Sequence, residues 1–178
     1  GLLNAAAFYG ASHQQPQELT IITDKGNYRD KHKNEVKINF VGKKSIPSAY
    51  IQQKTTKTGY IKISGPELTA MDLIFYQYEI GGLSRAGTVL NELAEELDFN
   101  RVDNDFFTYF PSTTVQRLGY ILDEVLEYNE IAQVLCDKAI QAGVSFRKSL
   151  LKPENDTEQA SYNKQWRLVI NEEIEIDE

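Results

Sequence analysis

Cysteine, histidine and methionine are scarce in this chain of 178 residues: there is one cysteine (Cys136), two histidines (His13 and His32) and one methionine (Met71). A lone cysteine excludes an internal disulfide and makes a reduced, cytoplasmic setting the expectation. A zinc centre needs several Cys or His side chains at short spacing, which two isolated imidazoles and one remote thiol do not supply. A hydrolytic triad or Cys–His dyad likewise lacks its parts. Cys136 falls among residues spaced to pack on a helix and reads as a small buried thiol, and neither histidine has a visible partner. The glycine patterns of phosphate loops and dinucleotide-binding turns do not occur. No cofactor, metal or catalytic residue is therefore expected. The longest apolar stretches, Ala5 to Tyr9 and Leu73 to Tyr76, fall far short of the ~20 residues that span a bilayer, so no membrane partner is expected. The opening residues carry no basic leader and do not read as a signal peptide. Because Met71 is internal, the chain is expected to be part of a longer protein whose N-terminal domain is missing here.

What is present suits a folded, soluble domain. A hydrophobic content of 41% with 25% charged residues lies away from the composition of disordered chains. One domain over residues 1–178, burying roughly two thirds of its extended-chain surface, is the expectation.

The net charge of −7 argues against a protein that coats nucleic acid with its whole surface, but the charge is unevenly placed. Between Asp24 and Lys62 stand ten basic residues, Lys25, Arg29, Lys31, Lys33, Lys37, Lys43, Lys44, Lys54, Lys57 and Lys62, against three acids, a balance of +7. The remainder carries −14. This pattern fits a local nucleic-acid contact by the basic segment. It fits equally a β-rich lobe whose exposed strand positions and edges carry lysines for solubility.

Along the chain, a first amphipathic helix should end near Gly10. Glu18 to Thr23 reads as a strand, with turn residues at Asp24 to Asn27. Val36-Lys37-Ile38-Asn39-Phe40 alternates, which places Val36, Ile38 and Phe40 toward a core and Lys37 and Asn39 toward water. Tyr60 to Ile63 alternates likewise, and Tyr50 to Thr55 is a weaker strand candidate. At Ser64-Gly65-Pro66-Glu67 the pattern predicts a helix start with Ser64 and Glu67 as a capping box. Leu68, Met71, Phe75 and Tyr78 follow at helical spacing. Gly81-Gly82 breaks the chain before a second helix with Val89, Leu90, Leu93 and Leu97. A short helix is expected over Asn100 to Phe110, and another is capped by Ser112, with Val115, Leu118, Ile121, Leu122, Val125 and Leu126 on one face. The last runs from Asn129 to Gly143 and presents Ile131, Val134, Leu135 and Ala139. Lys152 to Gln159 reads as a polar linker, Trp166 to Ile170 as a final strand, and Asn171 to Glu178 as an acidic tail. The fold class is thus α+β, a small and mostly antiparallel sheet packed against a bundle of about five helices.

Two carboxylate features bear on chemistry. Asp103-Asn104-Asp105 has the spacing of a metal-holding pair in nucleotidyl-transfer enzymes, but it falls in an expected helical turn, where acids favour the helix dipole. Asp72 lies between Met71 and Leu73 in an otherwise apolar helix and needs a buried partner such as an arginine, which makes it a structural anchor.

Three stretches together resemble one family. Gly1-Leu2-Leu3-Asn4-Ala5-Ala6-Ala7-Phe8-Tyr9-Gly10 and the following residues to Gln17 are similar to the opening of the C-terminal domain of AbiEi-family antitoxins. Ile63 to Leu73 with Gly81-Gly82-Leu83, and Val115 to Leu122, resemble later parts of the same domain. The resemblance implies a bacterial toxin–antitoxin (abortive infection) system, in which the antitoxin opposes a nucleotidyltransferase-like toxin without forming a stable complex with it. It further implies repression of the system's own promoter, with operator DNA held mainly by an N-terminal winged helix. Antitoxin activity then resides in the second domain, which sometimes adds a basic surface for DNA.

Overall fold

The computed structural model describes residues 1–11, 16–26 and 28–177. His13, Asn27 and Glu178, which the sequence places in a polar turn, a strand-end turn and the acidic tail, lie outside the described residues.

The fold is α+β. Helix α1 (Leu2–Phe8) closes at Gly10, whose φ of +82° is the left-handed conformation that glycine takes without a Cβ penalty. Helix α2 (Pro66–Phe75) is the centre of the molecule: every residue from Pro66 to Ile74 is buried, as suits a helix apolar on all sides but for Glu67, Thr69 and Asp72. It packs against α1, α4 (Leu83–Leu93) and α5 (Ser112–Tyr120). The expected capping box does not form. Gly65 is the cap residue and Pro66 the first helical residue, so Glu67 stands one position too early to reach back. Its carboxylate instead accepts the backbone N–H of Asp98 at 2.8 Å and lies 3.6 Å from the Arg101 guanidinium. Because α2 stops at Phe75 and a short α3 (Gln77–Ile80) turns away, Phe75 and Tyr78 are exposed rather than on the core face. The stretch read as one helix from Asn100 to Phe110 is two 3-10 turns, Phe99–Arg101 and Asn104–Tyr109, capped by Asp98 and Asp103. Pro111, not Ser112, caps α5, which ends in a π turn over Ile121–Val125 before α6 (Asn129–Gln141).

Among the described residues, three small sheets replace the single one expected. Strands β1 (Glu18–Thr23), β2 (Lys31–Lys33) and β3 (Val36–Gly42) lie in the order β1-β3-β2, with β1 and β3 parallel and β2 antiparallel to β3. Strands β4 (Ile51–Thr56) and β5 (Gly59–Ser64) form a separate antiparallel hairpin. Strands β6 (Ser149–Leu150), β7 (Ser161–Asn163) and β8 (Leu168–Ile170) form the third sheet, in the order β6-β8-β7.

The third sheet is held to the helices by Trp166, which is fully buried. Its ring lies on Gly119 of α5, where a built Cβ would stand 2.0 Å from the indole, so the close approach needs glycine. The indole N–H donates to Asp123 at 3.0 Å. Gln116, also buried, donates its amide to the carbonyls of Arg147 and Trp166 at 2.8 and 2.7 Å. The acidic tail then runs along α4. The N–H groups of Glu175 and Asp177 donate to the hydroxyls of Ser84 and Thr88, each at 3.1 Å, and Ile176 approaches Gly87 closely enough that a Cβ there would meet it at 2.7 Å.

Candidate functional site

The register of the first sheet decides where the basic residues point. Cross-strand partners share a face, so Lys31 stands with Ile38 and Leu19, and Lys33 with Val36, while His32 stands with Lys37 and Glu18 on the other face. The second face is the covered one at its far end: Val41 is buried there and Ile22 packs against the core. The alternation expected in β3 does not appear: Val36 is exposed, Lys37 to Phe40 are all half-buried and Val41 is buried. Val36, at 42% exposure, opens to solvent with Leu19, Ile21 and the Tyr28 ring, which stacks on Phe40 at 5.1 Å. Lys37 and Asn39 turn instead toward Glu18, donating to its carboxylate at 2.9 and 2.5 Å and holding it below the ordinary glutamate range. A three-stranded sheet offers either face to a cover; α1 packs on β1, with Asn4 accepting the backbone N–H of Thr20 at the strand edge.

The ten basic residues consequently do not form one surface. Lys25 and Arg29 lie in the connection before β2, Lys44 just past β3, and Lys57 in the β4–β5 turn. Lys54 pairs with Ile61 and Lys62 with Gln53, which puts those two lysines on opposite faces of the hairpin. Lys43 is not available to a polyanion. Its side chain is 6% exposed, its ammonium lies 2.5 Å from Asp72, and it sits 4.4 Å from the centre of the Phe110 ring. Asp72 thus has the buried partner it needs, a lysine rather than an arginine. Burial pushes the Asp72 carboxyl above the usual range, and the neighbouring ammonium opposes that push. The pair ties the end of the first sheet to the central helix.

The D-x-D pattern serves local structure. The Asp103 carboxylate accepts the backbone N–H of Asp105 at 3.1 Å as a helix cap and also accepts the Tyr50 hydroxyl. That hydroxyl bond holds Asp103 below the ordinary aspartate range. Burial, together with this carboxylate, pushes the Tyr50 phenol up to about 12. Among the described residues no group of three or more His, Cys, Asp or Glu side chains converges as metal ligands. Cys136 is buried and its thiol is pushed up by desolvation, while His32 lies exposed on β2. Neither has a nucleophile–base arrangement with the other.

Sequence reasoning missed a cleft of about 750 Å³ between α1 and β1 on one side and the β4–β5 hairpin on the other, with Lys43 and Asp72 in its lining. Phe8, Leu19, Ile21 and Ile61 are exposed there. No sequence signal marks it, because only strand pairing divides these residues into two sheets rather than one. Among the described residues no helix is long and apolar enough to cross a membrane.

Against known proteins, the crystal structure of the RV2827C protein from Mycobacterium tuberculosis matches this fold with a TM-score of 0.62 at 14% sequence identity. The match covers 94% of this chain and 60% of that one, so the chain spans a little under two thirds of that protein's length. At such identity the likeness is one of fold. No curated protein sequence matches. The family model described as the AbiEi antitoxin C-terminal domain matches residues 1–124, from α1 through all of α5 and into the π turn. The chain belongs to the AbiEi antitoxin C-terminal domain family.

Proposed function

We propose that this chain is the antitoxin-active domain of a two-gene bacterial abortive-infection system, opposing a nucleotidyltransferase-like toxin and catalysing no reaction itself. The observation that carries the reading is the family match over residues 1–124, which takes in the first sheet, the hairpin and the central helix together. The local roles of Asp103, Asp105 and Cys136 favour a binding module over an enzyme. In this reading the toxin is antagonised without a stable complex in the cytoplasm, and operator DNA is held mainly by an N-terminal domain of a longer protein. The test is growth rescue: cells expressing the toxin encoded beside this antitoxin are given this chain, then the longer protein. Rescue by the chain alone supports antitoxin activity in these residues, and lack of rescue by both removes the reading.

A second reading is favoured by one observation. The Tyr28–Phe40 stack stands beside Arg29, and Lys31 and Lys33 share the open face of the first sheet with it, a combination of rings and cations that suits nucleic acid. Of the basic residues singled out in the sequence, Lys25, Arg29, Lys31, Lys33, Lys44, Lys54, Lys57 and Lys62 remain candidates for such contact. Binding should then weaken by about one log unit of affinity per log unit of salt for each phosphate neutralised. The double variant Lys31→Glu, Lys33→Glu should reduce that slope by about two, and an unchanged slope would remove these two lysines from the interface.

A further inference from the structure

Strands β4 and β5 form a ribbon held to the fold at one end. Ile63 and Ser64 are buried where β5 meets α2, while Gly59 to Lys62 are all exposed. The cross-strand pairs from Gln53–Lys62 to Thr56–Gly59 therefore extend beyond the buried base, by roughly 13 Å at ~3.3 Å per residue. The Thr56 hydroxyl donates to the Gly59 carbonyl at 3.1 Å and closes the turn around Lys57 and Thr58. Tyr60 is 69% exposed, more than any other large apolar side chain among the described residues. Residues 54–60 do not line the cleft beside α1, so their exposure does not come from that opening.

Charge on the ribbon is of one sign. No acid occurs between Glu35 and Glu67, a stretch that carries Lys37, Lys43, Lys44, Lys54, Lys57 and Lys62. Lys37 is engaged by Glu18 and Lys43 by Asp72. Lys54, Lys57 and Lys62 lie on the ribbon, and among the described residues none of the three forms an ion pair. The register splits them. Lys62 shares a face with Thr55 and Tyr60, Lys54 lies on the opposite face, and Lys57 is at the tip. A flat anionic surface, such as the acidic face of a protein, meets one of these faces and not the other. A groove between two phosphate backbones meets both at once. The major groove of B-DNA, about 12 Å wide and about 8.5 Å deep, admits a two-stranded ribbon, whereas that of A-form RNA is too deep and narrow for side chains to read.

We propose, resting on the nucleic-acid reading above, that the β4–β5 hairpin enters the major groove of duplex DNA tip first. Lys54 meets the phosphates of one strand. Lys62, with the hydroxyls of Thr55 and Tyr60, meets those of the other strand. Lys57 reaches the base edges at the groove floor, where guanine offers two acceptors to a lysine. The division of the lysines between two faces, which rules out a single basic surface, is what a groove requires.

The experiment titrates the full chain into fluorescein-labelled probes and follows anisotropy from about 50 to 200 mM salt. The probes are a DNA duplex of about 16 base pairs, the RNA duplex of the same sequence, and polyglutamate. Expected are DNA binding with a Kd below about 100 μM, binding of RNA and polyglutamate weaker by about tenfold or more, and DNA-induced amide shifts at Lys57 to Tyr60. The double variant Lys54→Gln, Lys62→Gln should lower the log–log salt slope by about 1.8, at about 0.9 per phosphate, and Lys54→Arg with Lys62→Arg should keep the parent slope. Equal binding of the RNA duplex or of polyglutamate, or an unchanged slope in the glutamine variant, would each overturn the hairpin assignment. If the slope then falls in Lys31→Glu, Lys33→Glu, the nucleic-acid reading survives on the first sheet, whereas no binding of any probe removes both.

Discussion

The β-rich part, residues 16–64, and the helical part that follows use their apolar residues in opposite ways. In the helical part, most residues at helical spacing are where a core needs them: Leu68, Met71, Val89, Leu90, Leu93, Leu97, Val115, Leu118, Ile121, Leu122, Leu135 and Ala139 are buried and Val125, Leu126, Ile131 and Val134 half-buried against them, with Phe75 and Tyr78 the exposed exceptions. In the strands of this part, Leu19, Ile21, Val36 and Ile61 are exposed, Val41 and Ile63 are buried, and Ile22 and Ile51 are half-buried against the core. A period of 3.6 in a helix defines one stripe, and that stripe has one use. A period of two defines two faces, and nothing in the strand itself says which will be covered. Here the core makes the choice, taking Ile22 and Val41 from one face of the first sheet.

That contrast can be broken most severely from the helical side. Trp166→Ala should cost about 3–5 kcal/mol in denaturant unfolding, the range for removing a fully buried aromatic, and should release the third sheet from α5. Next in size is the tie between the two parts. Lys43→Met alone, or Asp72→Asn alone, should cost about 3–5 kcal/mol, because each leaves one buried charge or polar group behind, whereas Lys43→Met with Asp72→Leu should come within about 1 kcal/mol of the parent. The same pair sets a pH dependence. Asp72, and Glu67 in the same helix, hold their protons to higher pH in the folded state than in the unfolded chain because burial disfavours their charge. Their contribution to stability is therefore present at low pH and lost as pH rises above the ordinary carboxylate range near 4. A pH series of urea midpoints for parent and double variant should show a shallower loss in the variant. Gly87→Val should cost about 1–3 kcal/mol by pushing Ile176 off α4, with faster exchange of the Glu175 and Asp177 amides. The smallest effect is expected on the open sheet face, where Val36→Thr should change stability by no more than about 0.5 kcal/mol. A cost well above 1 kcal/mol there would mean that this face is covered and would narrow the contrast.

The helices and the α+β class were legible because the apolar repeats from Leu68 to Ala139 run long enough to define a stripe. The anchor role of Asp72 was legible as well, since a carboxylate between Met71 and Leu73 must find a partner, although the identity of Lys43 depended on the end of β3 reaching α2. The division into three sheets was not legible. The parallel pairing of β1 with β3 and the two-residue β6 arise from contacts across the fold, with no turn residue to mark them. The basic segment read as one surface because sequence counts charge, while register distributes it: neighbours such as Lys31 and His32, or Lys54 and Gln53, point to opposite faces. The cleft escaped for the same reason, being bounded by strand edges that only pairing defines.

The placement of Trp166 on Gly119 also bears on how the chain is made. Domains begin to fold while synthesis proceeds, at about 5–20 residues per second. Helices α2, α4 and α5 are complete well before Trp166 and Ile176 emerge, and until then Gly119 and Gly87 are notches open to water. A ribosome paused after α6 would display a nearly finished bundle with both notches empty, the form most in need of a chaperone. The last thirty or so residues then act as the seal that ends that exposure.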